Sequence, residues 1–270
     1  MSGTDQVHLR LEFAPGYGNS PGLKDRILEI FSGNPGEAGS VESSRSAKVF
    51  YFEAEVGGET KGFYYKEFFF RHLRDRLSVL VRPSRAKRAW RGNRMLMDHG
   101  FDTALPVCVG ELSRFGVVSR NLLVTEAVRR VSELADYLDR ELSTGNPDGV
   151  AGKRRFLKEY GRVIGRLHRE GIFQGDLRER NILVRNGDPP KFYLIDNERT
   201  RGYGRLPDRK RLKNLVQANM YNSLNITRTD RVRFFYAYLE ENPVLEPRKK
   251  EWMGKILRKT RFRLNRKGRL

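Results

Sequence analysis

The 270-residue sequence has a single cysteine, Cys108, and only four histidines. A lone thiol closes no intrachain disulfide, and so thin a Cys/His supply builds no zinc-finger type of site. Long apolar runs are missing as well: none approaches the roughly 20 residues that a bilayer span needs. The opening stretch has no basic segment followed by an apolar one, so no secretory signal is expected. Acid is scarce relative to base, with 33 Asp and Glu against 53 Lys and Arg for a net charge of +20. What is present argues for a folded chain. Apolar residues make up 38% and include 16 Phe and 11 Tyr, enough to fill a core and to exclude wholesale disorder. The length suits one large domain or two lobes sharing a cleft. These features predict a soluble, cytosolic protein drawn to something anionic.

The positive charge is concentrated. Residues 71–94 carry nine bases and one acid, residues 199–213 seven bases and one acid, and residues 248–270 eleven bases against Glu251 alone. The remainder nets −4, so the sequence describes a mildly acidic globule bearing three basic patches. A basic run is most often a solvated helix face; three runs with one acid apiece strain that reading.

The first half reads as strands. Val7-His8-Leu9-Arg10-Leu11-Glu12-Phe13 alternates with period two, and residues 26–31 form a short apolar run. Residues 48–52 lead through Gly57-Gly58 into residues 62–66 as a hairpin. A helix is expected over 84–99, ended by Gly100, with strands following over 106–110 and 116–125. From Val128 the pattern turns helical: Val131, Leu134, Leu138 and Leu142 form one stripe, and Phe156, Tyr160, Val163 and Leu167 another. Residues 145–152 read as a loop, 182–184 and 192–195 as short strands, and 207–225 and 229–241 as helices, with Thr229 the N-cap of the second. The class is α+β: a β-rich part over 1–127, a mostly helical part over 128–247 and a basic amphipathic tail over 248–270.

The chemistry concentrates between Gly171 and Asp196. Asp176 is followed five residues later by Asn181, on a loop closed by an apolar strand, and Asp196 ends the next apolar strand. Phosphoryl transfer asks a protein for metal ligands and for a carboxylate that orients the acceptor hydroxyl. Oxygen ligands of this kind suit Mg²⁺. Capped turns would account for Asp176 and Asn181 singly. They do not account for the spacing, the flanking strands and Asp196 together.

At these residues the sequence resembles the protein-kinase-like superfamily, whose catalytic loop reads H-x-D-L-x-x-x-N with a metal-binding Asp on the next hairpin. More narrowly it resembles the bacterial lipopolysaccharide kinases that phosphorylate heptose or Kdo of the inner core. Tyr65-Lys66, Arg85 to Arg91, Leu123-Val124-Thr125-Glu126, Gly175-Asp176-Leu177, Asn181 to Val184, Leu194-Ile195-Asp196 with Arg199 and Arg201, and residues 230–239 carry the likeness. It covers about residues 45–245 and implies a bilobal fold with a nucleotide-binding N-lobe. Asp176 would be the catalytic base, Asn181 and Asp196 the metal ligands, and Lys66 the contact to the ATP α/β-phosphates. Backbone at Glu126 to Val128 would meet adenine, and a turn holding Ser44 and Ser46 would cover the phosphates. ATP and Mg²⁺ are the implied cofactors, and the lipid A–Kdo–heptose core the implied acceptor.

The sequence departs from the pattern in four places. Gln174 stands where His is usual, no G-x-G-x-x-G precedes Lys48, residues 84–99 hold no glutamate for Lys66, and Asn197-Glu198 replaces Phe-Gly after Asp196. The bases of 199–213 suit an acceptor bearing phosphates or carboxylates. In the tail, Trp252, Met253, Ile256, Leu257 and Leu264 recur at helical spacing, which fits a basic helix on the anionic cytoplasmic face of the inner membrane and equally a core-packed helix. Nucleic acid is disfavoured as a partner: residues 61–68 imitate an RNA-recognition motif but place Tyr64 and Lys66 where it needs a small residue and valine. The competing readings are a protein Ser/Thr or small-molecule kinase of the same fold, and a pseudokinase that binds anionic membrane or nucleic acid.

Overall fold

Gly57 and Gly58 both take positive φ, 64° and 80°, the geometry that a two-residue hairpin turn with matching strand twist requires. They join β3 (Ala47–Val56) to β4 (Glu59–Phe68) in full register from Val56↔Glu59 to Ala47↔Phe68. In this computed structural model the described residues are 7–41, 46–70, 82–141, 147–221, 225–266 and 268. The chain divides into two units, one of residues Met1–Arg94 and Ala104–Arg129, the other of Met95–Thr103 and Arg130–Leu270.

The described residues of the first unit build an antiparallel six-stranded sheet in the order β1-β5-β6-β4-β3-β2. Its other strands are β1 (Val7–Phe13), β2 (Gly39–Val41), β5 (Pro106–Arg114) and β6 (Val117–Glu126). Alternation along β4 sends Phe63 and Tyr65 into a cluster with Leu23 and Ile27 of α1 (Pro21–Ser32), while Phe68 packs with Ala86, Ala89 and Trp90 of α2 (Arg85–Asp98). Residues 26–31, expected among the strands, are therefore helical. Pro21 opens the helix at its first turn and Leu23, Ile27, Ile30 and Phe31 recur with its period. Glu67 is buried on β4, where Arg120 of β6 grips both carboxylate oxygens at 2.6 and 3.1 Å.

The second unit is mostly helical. Its long helices are α3 (Pro147–Arg169), α4 (Asp208–Ala218), α5 (Arg228–Glu240) and α6 (Lys249–Asn265). Small strands hold the loops: β7 (Ser132–Glu133) and β10 (Lys191–Leu194) flank β9 (Ile182–Arg185), and β8 (Ile172–Phe173) pairs with β11 (Arg201–Gly202). Phe156, Tyr160, Ile164 and Leu167 of α3 join Leu215, Tyr238, Trp252 and Ile256 in one core, so the C-terminal helix is packed through its apolar face. No described helix is long and apolar enough to cross a membrane.

Several boundaries differ from those expected. Helix α3 begins at Pro147, inside the expected loop, because proline is tolerated at a first turn. Val131 precedes the short strand β7, and its stripe continues only as a turn at Leu134–Asp136 and a wider π turn at Tyr137–Glu141; Leu142 lies outside the described residues. Helix α4 stops at Ala218. The N-cap of α5 is Thr227 rather than Thr229. Thr227 and Asp230 form a capping box that satisfies two orphan amides, a pairing closed to Thr229, which has Val232 three residues on.

Asp230 is also one half of a buried ion pair, with Lys153 Nζ 2.7 Å from its Oδ2. Burial pushes its carboxyl pKa up, but Lys153 and the Thr227 donors outweigh this and hold it below 3.8. Lys153→Met leaves the carboxylate buried without its lysine partner, though Arg233 still pairs with it, so urea unfolding should show a loss of about 3 kcal/mol, the low end for breaking a buried pair. An unchanged unfolding midpoint would show the pair to be dispensable.

Candidate active site

The loop from Gly171 to Asn181 is tied down on both sides. Gln174 is fully buried; its Oε1 accepts the Asp176 backbone N–H at 2.6 Å and its Nε2 donates to the Ile195 carbonyl at 3.2 Å. One side chain thus clamps the Asp176 loop to the residue before Asp196. Gly175 lets these segments touch, since a Cβ there would lie 2.1 Å from the Arg199 Cβ and 2.7 Å from its carbonyl oxygen. Asn181 donates from Nδ2 to the Asp176 carbonyl at 2.8 Å and accepts the Ile195 N–H at 2.9 Å. The three polar residues expected from the sequence, Asp176, Asn181 and Asp196, are therefore coupled through backbone of their own unit.

Asp176 is partly exposed, with 26% of its side chain accessible. Gln217 Nε2 at 3.1 Å and Arg178 Nε at 2.8 Å both donate to Oδ1, so these donors gather on one oxygen of the carboxylate. Asp196 has φ 58° and ψ 53°, a left-handed conformation that costs a non-glycine residue energy and that Asp tolerates better than most. The strain turns the chain at the end of β10, immediately after Leu194-Ile195. Asn197, at the position of the kinase Phe, is buried and fully used: it donates to Leu194 O at 2.8 Å and Thr103 Oγ1 at 3.1 Å and accepts from Thr200 at 3.1 Å. Polar bonds replace an aromatic plug.

No cluster of three or more His, Cys, Asp or Glu side chains exists among the described residues. Mg²⁺ does not need one, because it keeps several waters and takes phosphate oxygens alongside one or two protein groups. Asn181 spends its Nδ2 on Asp176 O and so keeps its amide oxygen for a cation, and Asp196 supplies a carboxylate; this donor set fits.

The residues expected on the nucleotide side lie in the first unit. Lys66 is on β4 between Val49 and Leu123, with Nζ 5.3 Å from the Phe68 ring centroid. Its strand face is the one α2 covers, and α2 brings no glutamate to it. Ser46 precedes β3, and its carbonyl accepts Arg85 at 3.1 Å and the Phe69 N–H at 3.0 Å; Ser44 lies outside the described residues. Gly33 closes α1 and Gly39 opens β2, so neither stands at the turn before β3. Glu126 ends β6 with its carboxylate accepting from Tyr17 Oη at 2.5 Å, and Val128, half-buried, follows in the connector.

The model of the lipopolysaccharide kinase (Kdo/WaaP) family matches residues 36–238, well over half of the chain. The chain belongs to this family. Membership makes it a lipopolysaccharide kinase and hence a phosphotransferase. Among solved structures, WaaP in complex with acyl carrier protein is similar over 93% of this chain and 98% of that chain, with a TM-score of 0.64 at 19% identity, a likeness of fold. The fold is α+β and kinase-like, with a β-rich N-lobe and a helical C-lobe. No curated protein matches the sequence.

Sequence reasoning missed Asn214 and Gln217, which carry the loop's support. Asn214 Nδ2 bonds the Gln174 carbonyl at 2.6 Å and Gln217 Oε1 at 3.0 Å. The polar spacing 214/217 on a helix was visible but had no partner to point at. It also missed the convergence of Arg178, Arg199, Lys213, Arg263 and Arg266 on one cavity of about 360 Å³ at Asp176.

Two outcomes follow for a kinase supported in this way. Gln174→Ala frees the Asp176 amide and the Ile195 carbonyl together, and phosphotransfer kcat should drop about 10²-fold, the cost of a misplaced reacting group. Gln174→His, which keeps one donor and one acceptor, should retain most of the rate; equal loss in both variants would reject the clamp. The second outcome concerns pH. Burial, then the nearby Arg211 charge, pulls the pKa of His168 from 6.5 down to about 3. The unfolded imidazole binds a proton first, so this contribution is whole above pH 6.5 and is lost as pH falls toward 3, at about 1.4 kcal/mol per pH unit. Unfolding free energies measured between pH 6.5 and 5 should show that slope in the wild type and lack it in His168→Gln.

Proposed function

We propose that this protein transfers the γ-phosphoryl group of ATP to a hydroxyl of heptose or Kdo in the lipopolysaccharide inner core, working at the cytoplasmic face of the inner membrane. The observation that carries the reading is the coupling of Asp176, Asn181 and Asp196 within one hydrogen-bonded loop system beside a cationic cavity. Asp176 orients the acceptor hydroxyl at Oδ2 and takes its proton. The sugar oxygen bonds to the γ-phosphorus as the bond to the β,γ-bridging oxygen breaks, and ADP leaves. Asn181 and Asp196 hold Mg²⁺, which neutralises phosphate charge when bound. Lys66 meets the α/β-phosphates, the backbone from Glu126 to Val128 meets adenine, and the turn containing Ser46 covers the phosphates. Leu257 and Phe262, exposed on the basic helix α6, support a position against an anionic lipid surface.

Asp176→Asn should lower kcat about 10³-fold, in the range for loss of a general base, at unchanged circular dichroism. Mass spectrometry of core oligosaccharide from cells carrying wild type or this variant should find one phosphate only with the wild type, and its position names the sugar. Full transfer by Asp176→Asn would overturn the mechanism.

A further inference from the structure

The cavity at Asp176 is lined by Gly175, Asp176, Met220 and Gln217 together with five cationic side chains, Arg178, Arg199, Lys213, Arg263 and Arg266. Among the described residues, Asp176 is the only carboxylate on its wall. The cations come from three places: the catalytic loop, the stretch from Arg199 to Lys213 after Asp196, and the last turn of the C-terminal helix. That last contribution lies beyond residue 238, where the family match ends.

The helix is not there by accident of fraying. Trp252, Ile256 and Leu264 are buried, and Thr260 Oγ1 accepts Asn219 Nδ2 from the end of α4 at 3.0 Å. These anchors fix the phase of α6, and residues 263 and 266, three apart, share one of its faces. Lys213 is equally fixed, donating to the Gly175 carbonyl at 3.1 Å with its ammonium 5.1 Å from the Phe173 ring centroid. Burial, and after it the charges of Lys210 and Arg199, lower its pKa. Cations held this close repel one another, and an anion placed among them relieves the repulsion. Guanidinium forks match phosphate and carboxylate oxygens in particular.

We infer that Arg263 and Arg266, with Arg199 and Lys213, form an acceptor subsite that grips a phosphate or carboxylate already carried by the sugar substrate, so that the C-terminal helix is part of the active site. The inference rests on the proposed phosphotransfer to a lipopolysaccharide sugar. The volume lies in the range of small-molecule sites, roughly 300–1,000 Å³. An anion held there keeps the neighbouring hydroxyl near Asp176.

The test is the Arg263→Gln/Arg266→Gln double variant of the full chain, assayed with soluble core fragments that are intact, dephosphorylated or carboxyl-reduced. The KM for the intact fragment should rise at least about tenfold while kcat at saturation and the KM for ATP stay within twofold. The difference between wild type and variant should vanish on whichever trimmed fragment has lost the recognised anion, which separates phosphate from carboxylate. Arg258→Gln/Lys259→Gln, which removes equal charge from exposed positions of the same helix, should leave the fragment KM unchanged. An unaltered KM in the 263/266 variant overturns the subsite, as does loss of binding to phosphatidylglycerol vesicles with the KM intact, which would assign both arginines to the membrane. If the wild type phosphorylates no core fragment, the functional reading fails on its own. Calorimetric titration with glucose 6-phosphate and glucuronate then decides the subsite: weaker binding by the variant upholds it, and equal binding removes it.

Discussion

A buried chain of hydrogen bonds runs from a guanidinium to a carboxylate, and the geometry of the active loop depends on it. Arg211 donates to Tyr238 Oη, which lies 3.0 Å from His168 Nδ1; His168 Nε2 lies 3.2 Å from Asn214 Oδ1. Asn214 Nδ2 donates to Gln217 Oε1, and Gln217 Nε2 to Asp176 Oδ1. Burial keeps His168 neutral and raises the pKa of Tyr238, so each has a fixed set of donors and acceptors. One proton order then satisfies every link: Tyr238 donates to Nδ1, and the imidazole donates from Nε2. All the bonds point the same way, from Arg211 toward Asp176, and such chains polarise their members cooperatively.

That order explains how the loop tolerates glutamine in place of histidine at position 174. The task there is to join an amide N–H at Asp176 to a carbonyl at Ile195, and a primary amide carries one acceptor and two donors in the right plane. The second donor reaches Asn197 Oδ1 at 3.5 Å, so the Gln174 and Asn197 departures lie in one network. A polar residue after Asp196 suits a polar clamp. An aromatic plug there would leave the second Nε2–H of Gln174 without this acceptor in a buried site, where an unsatisfied polar group costs roughly 1–3 kcal/mol.

The parts of the fold legible in the sequence were those with a local cause. Gly57-Gly58 announces its hairpin, the period of Phe156, Tyr160 and Leu167 announces a helix, and apolar runs before Asn186 and Asp196 announce β9 and β10. Helix α1 was missed because its apolar positions sit between a glycine and charged residues in a segment surrounded by strands. The N-cap of α5 was off by two residues although the sequence carries the discriminating signal, Asp230 three residues after Thr227 against Val232 three after Thr229. The spacing of Asp176, Asn181 and Asp196 was readable, being set by one loop and one hairpin. Its support was not, since Asn214, Gln217 and His168 meet the loop only once α3, α4 and α5 have packed.

The same distinction governs the charge. The sequence shows basic runs about 50 residues apart, and nothing in either run marks the other as a neighbour. Packing of α6 against the core through Trp252, Ile256 and Leu264 carries the bases of the last run to those after Asp196. Gathering like charges in a concave wall is unfavourable for the unliganded protein, and its cost is set against ligand binding instead. A cavity lined by one sign of charge also focuses the field and raises the encounter rate with anions, an effect that salt weakens over a Debye length of about 8 Å at physiological ionic strength. Asp176 lies among the same cations, with Arg178 Nε 2.8 Å from its Oδ1. The basic runs of the sequence are therefore brought by the fold to a wall that also carries Asp176, which places a focused positive field around that carboxylate.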